Sequence, residues 1–468
     1  MAILLRKEWF GGIIAKTENY DIRVMNRFSF SSFEDAILSD GVLTSHHEKL
    51  LEDVGFFAGG APPRLISGNI GDRSPILSAP IILWLEVTSA CPLRCKHCFI
   101  GCGKETKPAF LPFPIVERTL EDAAQLGIVR VTLSGGEAFL YPFIQQAISK
   151  VNTLGMGLRI FTNGVLKKSN LSWLGNYDVD ALFISVDGSQ EHHEYLRGAN
   201  TFRHVSKTIP WLCSIDSIKN VTLSVCLDKH NVSQFAGILE VCRENGIRTV
   251  LIRPLMGYLW TKKIDNLVFR NKRELFDALS VVIEQANQND IEIQINKIPH
   301  MPLDRRIFLE EHRENASLSN ILGVSDSIDC VGGNLVCGIR YDGYISPCGF
   351  IDLEIERTPD NSIFHRSLLE LWKSSSNLRR MRNIPLNPGC RNCSMVTTCN
   401  GGCRANAFNL KKDMSGIDPY CLYMKTDYGE KVLEHRNLKR HMSFPVAAND
   451  HFISRKRLVS KCGWATYE

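Results

Sequence analysis

The sequence predicts an α/β protein built on a partial parallel (β/α)6 barrel, with a small module before it and a loop-rich, metal-stapled domain after it. Three observations carry that prediction. From Ile81 to about Asn296 the hydrophobic pattern alternates strand and helix six times, which favours a parallel barrel over a sandwich. Sixteen cysteines fall in two dense groups on either side of a middle stretch that holds three. Residues 1–58 carry a hairpin pattern and two amphipathic stretches of their own.

In chain order, Phe10–Lys16, a polar turn at Thr17–Tyr20 and Asp21–Met25 read as a β-hairpin. Ser32–Leu38 starts behind a Ser cap, and His46–Phe57 brings Leu50, Leu51, Val54 and Phe57 onto one helical face. Residues 59–80 hold four prolines and four glycines without periodicity, the signature of a linker. The barrel, residues 81–296, opens with a buried strand at Ile82–Val87. A helix at Pro114–Leu126 follows, with Pro in its first turn and Gly127 at its end. Val129–Leu133 is a strand, and Phe143–Leu154 a helix closed by Gly155. Leu158–Thr162, Ala181–Val186, Val221–Leu227 and Thr249–Arg253 are further strands, with helices at Val232–Glu244 and Leu275–Ala286. Residues 297–329 form an irregular bridge. Residues 330–425 are rich in Gly, Pro, Asn and Cys, a composition that suits loops held by metal better than a hydrophobic core. Residues 426–468 are a polar, mildly basic tail.

Composition narrows the function classes. The chain has 468 residues, enough for three domains at about 150 residues each. Apolar residues make up 44% and charged residues 22%, which excludes a disordered or fibrous chain. A net charge of +5 gives no argument for nucleic acid. The apolar stretch Ile81–Leu85 is far short of the roughly 18 residues of a membrane span. Arg6 interrupts the N-terminus before a signal-peptide core can form. The expectation is a cytoplasmic protein with no nucleic-acid or membrane partner. In that compartment thiols stay reduced, so dense cysteines point to metal or cluster ligation.

Cys91-Pro-Leu-Arg-Cys95-Lys-His-Cys98 directly follows the first barrel strand. Three thiolates in a compact loop can bind three corners of a 4Fe–4S cluster, which normally takes four cysteines. The absent fourth leaves one iron open to a chelator. A zinc knuckle is the competing reading, although zinc sites usually close with four ligands. Ser134-Gly135-Gly136-Glu137 follows the second strand and Thr162-Asn163-Gly164 the third. Ser185-Val186-Asp187-Gly188 follows the fourth, with His192, His193 and Arg197 just after it. Each set lies at the C-terminal end of a strand, where barrel enzymes place their ligands.

On these residues the stretch 81–296 resembles the radical S-adenosylmethionine (SAM) superfamily, through its Cys-x3-Cys-x2-Cys loop and Gly-Gly-Glu. The resemblance implies that Cys91, Cys95 and Cys98 hold a cluster whose open iron is chelated by SAM. It implies that Gly135, Gly136 and Glu137 contact the methionyl amino group, that Ser185 and Asp187 serve the ribose region, and that Arg197 meets the SAM carboxylate. Asn163 belongs to the same cofactor-binding set. It also implies a 5′-deoxyadenosyl radical and an electron donor such as flavodoxin or ferredoxin.

The second cysteine group reads Cys330-x6-Cys337-x10-Cys348 and Cys390-x2-Cys393-x5-Cys399-x3-Cys403-x17-Cys421. These are eight thiols, the number two fully ligated 4Fe–4S clusters need. A pair of structural zinc sites is the alternative. Between Cys337 and Cys348 lies Tyr341-Asp342-Gly343-Tyr344, a hairpin turn. This segment resembles the SPASM domain of radical SAM peptide maturases. By that resemblance Cys330, Cys337, Cys348 and Cys403 hold one auxiliary cluster, and Cys390, Cys393, Cys399 and Cys421 the other, for three 4Fe–4S clusters in all. If Cys337 is not a ligand, the first auxiliary cluster has an open iron. Cys102, Cys213, Cys226, Cys242 and Cys462 read as ordinary thiols.

Residues 1–58 resemble the RiPP recognition element, a winged-helix-like module that binds the leader of ribosomally made precursor peptides, with one of its usual three helices not seen. A hairpin edge can take up an extended peptide as an added strand. A structural extension packed on the barrel is the alternative. Together these resemblances imply a maturase that crosslinks residues of a precursor peptide through a thioether or carbon–carbon bond. The alternatives are a sulfatase-type maturase oxidising Cys or Ser, and a non-catalytic, metal-stabilised peptide-binding protein.

Overall fold

The computed structural model describes residues 3–8, 11–16, 21–39, 43–53, 63–67, 76–102, 107–255, 262–269, 271–295, 330–351, 355–391, 393, 401–411 and 413–421. Val54, Phe57, the turn at 17–20, Cys399, Cys462, the bridge at 297–329 and the tail lie outside them.

The N-terminal hairpin forms as expected, from β2 (Gly11–Lys16) and β3 (Asp21–Asn26). It gains a strand on each step away from β3. β1 (Ile3–Glu8) pairs antiparallel with β2, and β4 (Arg64–Ile66), inside the expected linker, pairs parallel with β1. The order is β3-β2-β1-β4. Successive side chains of a strand point to opposite faces, and here both faces are buried. Ile3, Leu5 and Ile14 pack with Phe30 and Phe33 of α1 (Arg27–Ser39) and with Leu51 of α2 (Ser45–Asp53). Leu4, Ile13 and Ala15 join the core of the barrel.

Arg6 fixes that second contact. Its fully buried guanidinium donates to the carbonyls of Ala79, Pro80 and Gly127, and its Nε pairs with Glu8 at 2.8 Å. Glu8 in turn accepts from the Ser78 backbone N–H and hydroxyl. Burial lowers the pKa of Arg6 and raises that of Glu8, and each partner opposes the shift of the other.

The barrel sheet runs through seven parallel strands in sequence order: β5 (Ile82–Thr88), β6 (Arg130–Gly135), β7 (Gly157–Thr162), β8 (Ala181–Ser185), β9 (Val221–Leu227), β10 (Thr249–Pro254) and β11 (Glu292–Ile295). Between them lie α3 (Phe113–Gln125), α4 (Ile144–Thr153), α5 (Gln190–Arg197), α6 (Thr201–Cys213), α7 (Phe235–Glu244) and α8 (Lys272–Gln288). The apolar stripes of α3, α4 and α7, including Leu120, Ile148 and Ile238, bury against the strands. The seventh strand, β11, lies just past the last one read from the sequence.

The C-terminal region departs most from expectation. β12 (Val336–Ile339) pairs parallel with β5 along its free edge, and β13 (Ile345–Ser346) turns back through the expected hairpin, so the sheet has nine strands. Behind it, α9 (Leu368–Ser374) begins with a capping box between Ser367 and Glu370, and α10 (Ser376–Arg382) follows. Leu368, Leu371, Trp372 and Leu378 are part of the barrel's own core. The Trp372 indole donates to Leu77 O at 2.8 Å. This half of the expected metal-held domain is therefore held by apolar burial.

Candidate cofactor and cluster site

The three-cysteine loop leaves the C-terminal end of β5. Thr88 starts it, its hydroxyl accepting from Ala90 N–H at 2.9 Å and donating to Ala109 O. Lys96 N–H then donates to Leu196 O at the end of α5. Cys95 is buried, Cys91 and Cys98 half-buried. The three thiols lie within electrostatic reach of one another, so each negative charge opposes the next. Burial pushes Cys91 up to about 12 and Cys95 to about 11. Cys98 behaves differently because Cys102 hydrogen-bonds it, lowering it to about 6. Three neighbouring thiols on one loop suit three corners of a 4Fe–4S cluster, while among the described residues no three such side chains converge tightly enough for a single metal ion.

Gly135, Gly136 and Glu137 pack directly beneath this loop. Gly136 N–H donates to Thr88 O and Glu137 N–H to Ala90 O, both at 2.8 Å. A Cβ on Gly135 would lie 2.2 Å from Thr88 O, and one on Gly136 2.4 Å from Ala90 O. These glycines are required by the approach of their own chain to the cysteine loop. Glu137 is fully buried and accepts from Thr162 Oγ1 at 2.9 Å, Asn163 N–H at 2.7 Å and Phe139 N–H at 3.2 Å. Burial nevertheless raises it to about 7. A carboxylate so placed suits a cationic ligand.

Asp187, Arg197 and His97 form a second buried knot. Arg197 Nε–H donates to Asp187 Oδ2 at 2.5 Å, and His97 Nε2 lies 3.4 Å from the same oxygen. Asp187 Oδ1 accepts from Cys226 N–H at 2.8 Å. Both carboxylate oxygens of Asp187 are thus engaged by the protein, as both of Glu137 are. Burial opposes both charges, yet their pairing holds Asp187 well below the carboxylate range and Arg197 above its ordinary value. Arg197 also lies close enough to Cys95 to favour its thiolate. Burial lowers His97 to about 4 and His193 to about 3. Their second ring nitrogens are buried without a protein hydrogen bond, as ligand-facing atoms can be. Ser185 ends β8 opposite Ser224.

Cys330, Cys348, Cys390 and Cys403 gather in one small cluster with Met381 and Phe99, the residue after Cys98. Cys393 N–H bonds Cys390 O, and burial and the nearby Cys421 raise Cys390. Cys337 is not brought to this group. It is fully buried in the barrel core, in register with Leu83, and burial pushes it up to about 12. Strand alternation puts Cys337 and Ile339 on the helix-covered face, opposite Gly338 and Arg340. A residue the sequence reading missed is Asp418, buried between the two expected sets. It accepts from Cys403 N–H at 2.7 Å and Tyr420 N–H at 2.9 Å, its own carbonyl accepts from Cys421 N–H, and burial raises it to about 6.

Also missed was the lining of the barrel. Trp84 on β5 stacks on Phe161 of β7 at 5.1 Å, and Phe161 on Phe183 of β8 at 4.5 Å. The Arg253 guanidinium, from β10, lies 5.0 Å from Phe161 and 5.9 Å from Phe350, and bonds the Ser224 hydroxyl. β8 and β9 separate Arg253 from Phe161 in the sheet, so these side chains meet across the concave face. Phe350 touches Phe99 at 5.4 Å, which joins this lining to the cysteine loop.

Comparison with known proteins agrees with this geometry. Residues 85–259 match the model of the radical SAM superfamily, and residues 330–394 that of an iron–sulfur cluster-binding domain, SPASM. The chain is 24% identical to the AdoMet-dependent heme synthase of Oleidesulfovibrio alaskensis, over 76% of this chain and 89% of that protein. It is 25% identical to the mycofactocin maturase MftC of Mycobacterium tuberculosis, over 82% and 91%. Its fold matches Streptococcus suis SuiB, solved with the precursor peptide SuiA, at a TM-score of 0.63 and 18% identity, covering 89% of this chain and 97% of that one.

Proposed function

Since the chain belongs to the radical SAM superfamily and carries a SPASM domain, we propose that it is a maturase that oxidatively crosslinks residues of a ribosomally made precursor peptide. The observation that carries this reading is one continuous line of contacts. The three-thiol loop and Glu137 close the C-terminal ends of β5 to β7 above the aromatic and arginine lining, and Phe99 and Phe350 lead from there to the second thiol group. The precursor complex of SuiB and the maturase likeness to MftC support a peptide substrate.

With a cluster and SAM bound, the site supplies a 5′-deoxyadenosyl radical able to take hydrogen from an unactivated C–H bond. The chain's own residues bind, orient and exclude water. Cys91, Cys95 and Cys98 hold the cluster. Glu137 pairs with the SAM ammonium, and Arg197, aimed by Asp187, with its carboxylate. Ser185 takes the ribose. Trp84, Phe161 and Phe350 enclose the reacting residue in a dry lining. Cys390, Cys393, Cys399 and Cys421 hold one auxiliary cluster, and Cys330, Cys348 and Cys403 three corners of the other. Electrons come from a donor such as flavodoxin or ferredoxin. The leader adds to β3, which among the described residues is the longer of the two edge strands of the N-terminal sheet, the other being the three-residue β4.

Replacing Cys91, Cys95 and Cys98 together by Ala tests the reading. The variant loses about a third of the iron of three equal clusters and all 5′-deoxyadenosine formation. Continued SAM cleavage in that variant would sink the assignment. Co-expression with a candidate precursor gives a peptide lighter by two hydrogens.

A further inference from the structure

Asn163, at the end of β7, touches both halves of the cofactor site. Its backbone N–H donates to Glu137 Oε2 at 2.7 Å, and its side-chain Nδ2 to Cys91 Sγ at 3.7 Å. Its Oδ1 accepts from Val165 N–H at 2.8 Å. That last bond fixes the amide's orientation, because the oxygen is taken up by a backbone donor and the NH2 end is left to the sulfur. The backbone beneath it is equally fixed. Gly164 N–H bonds Thr162 Oγ1 at 3.1 Å, its φ is +75°, and a Cβ there would lie 2.4 Å from Val205. A rigid turn thus presents one residue to the Gly-Gly-Glu pocket and to the cysteine loop at once.

We propose that Asn163 is a positioning residue that couples the ligand's amino-group pocket to the cluster, seating Glu137 with its backbone and setting the cluster's reduction potential through its N–H···S bond to Cys91. Hydrogen bonds to ligand sulfur spread the negative charge of the cluster, and the reduced form carries more of it. Removing the donor therefore disfavours reduction. The other two cysteines have different neighbours: Arg197 beside Cys95, and Cys102 bonded to Cys98. The Asn163 side-chain amide reaches Cys91, which also accepts from the Leu93 backbone. A ligand ammonium drawn against Glu137 bears on the same residue, so SAM occupancy and cluster potential are linked through it.

This inference rests on the radical SAM reading, and the test separates the two. The full chain is reconstituted with iron and sulfide as wild type, Asn163→Asp and Asn163→Ala. The cluster whose electron paramagnetic resonance signal changes on adding SAM is titrated potentiometrically, with and without SAM. Both variants are expected to shift that cluster to lower potential. The expected size is roughly tenfold in the equilibrium constant for reduction, about 59 mV for a one-electron couple. The shift that SAM itself causes should shrink. Asn163→Asp is isosteric, and Asn163→Ala introduces no charge, so agreement between them excludes a simple charge effect. An unchanged midpoint in either variant at wild-type iron content overturns the coupling. A folded variant that no longer retains iron at this loop supports the same positioning role more strongly. Failure of the wild-type chain to give any SAM-responsive cluster overturns the parent reading, and the inference with it.

Discussion

In the proposed site, Glu137 is the group whose charge governs the pH behaviour of SAM binding. It has three protein donors, yet burial holds its carboxyl up at about 7. Below that pH it is neutral and cannot pair with an ammonium; above it the charge is present. SAM affinity should therefore rise by up to tenfold per pH unit on the acid side and level off above about 7, as isothermal titration at several pH values would measure. Glu137→Gln should weaken binding roughly tenfold to a hundredfold, the range of one charge-assisted hydrogen bond, and flatten the profile. A steep acid limb surviving in that variant would assign the titration elsewhere. At this scale the residue types were legible in the sequence but not all of their work. The glycines of Gly135-Gly136 looked like room for a ligand, and they are room for Thr88 and Ala90. Asp187 reads as a residue of the ribose region, and spacing does not show that its oxygens also meet Arg197, His97 and the Cys226 backbone. Such roles depend on which distant chain arrives, which spacing does not encode.

His47 makes the analogous case for an element. On α2 it is buried against Phe33 of α1, its Nε2 2.9 Å from Ser32 Oγ and its Nδ1 2.8 Å from Thr44 Oγ1. Burial lowers its pKa, with the neighbouring His46 adding to the effect. The unfolded chain then binds the proton more readily, so stability from this group is present above the ordinary imidazole value of about 6.5 and is lost as pH falls through it. Hydrogen exchange in α1 and α2, corrected for intrinsic rates, should quicken between pH 7.5 and 5. His47→Gln should remove most of that difference. Equal protection at both pH values in the wild-type chain would contradict the assignment. Strands and helices of the barrel were readable because their apolar periods are regular over several residues. β4 was not, since three residues among prolines and glycines carry no period. β12 was hidden for another reason: Val336-Cys-Gly-Ile reads as cysteine spacing until β5 supplies its partner.

At the scale of the whole molecule, Arg6 decides whether the N-terminal module is an appendage or part of the body. Its three carbonyl acceptors belong to the segment entering β5 and to the turn after α3. Arg6→Ala leaves Glu8 buried without its partner, a loss of about 3–5 kcal/mol for a broken buried pair. Chemical denaturation should register this as a lower midpoint for the barrel itself. A change confined to residues 1–53, with the barrel transition unmoved, would mark the module as independent. The order of synthesis gives β12 a further meaning. β5 has β6 beside it soon after it is made, but its other edge waits for a strand encoded about 250 residues later. On a ribosome working at ~5–20 residues per second, that is an interval of roughly 12–50 s. Throughout it the edge Ile82–Leu85 offers unpaired backbone to any passing chain, the arrangement that invites aggregation. Nascent chains of this protein should therefore need a holding chaperone until the second cysteine group emerges, and truncation before residue 336 should yield inclusion bodies where the full chain yields soluble protein.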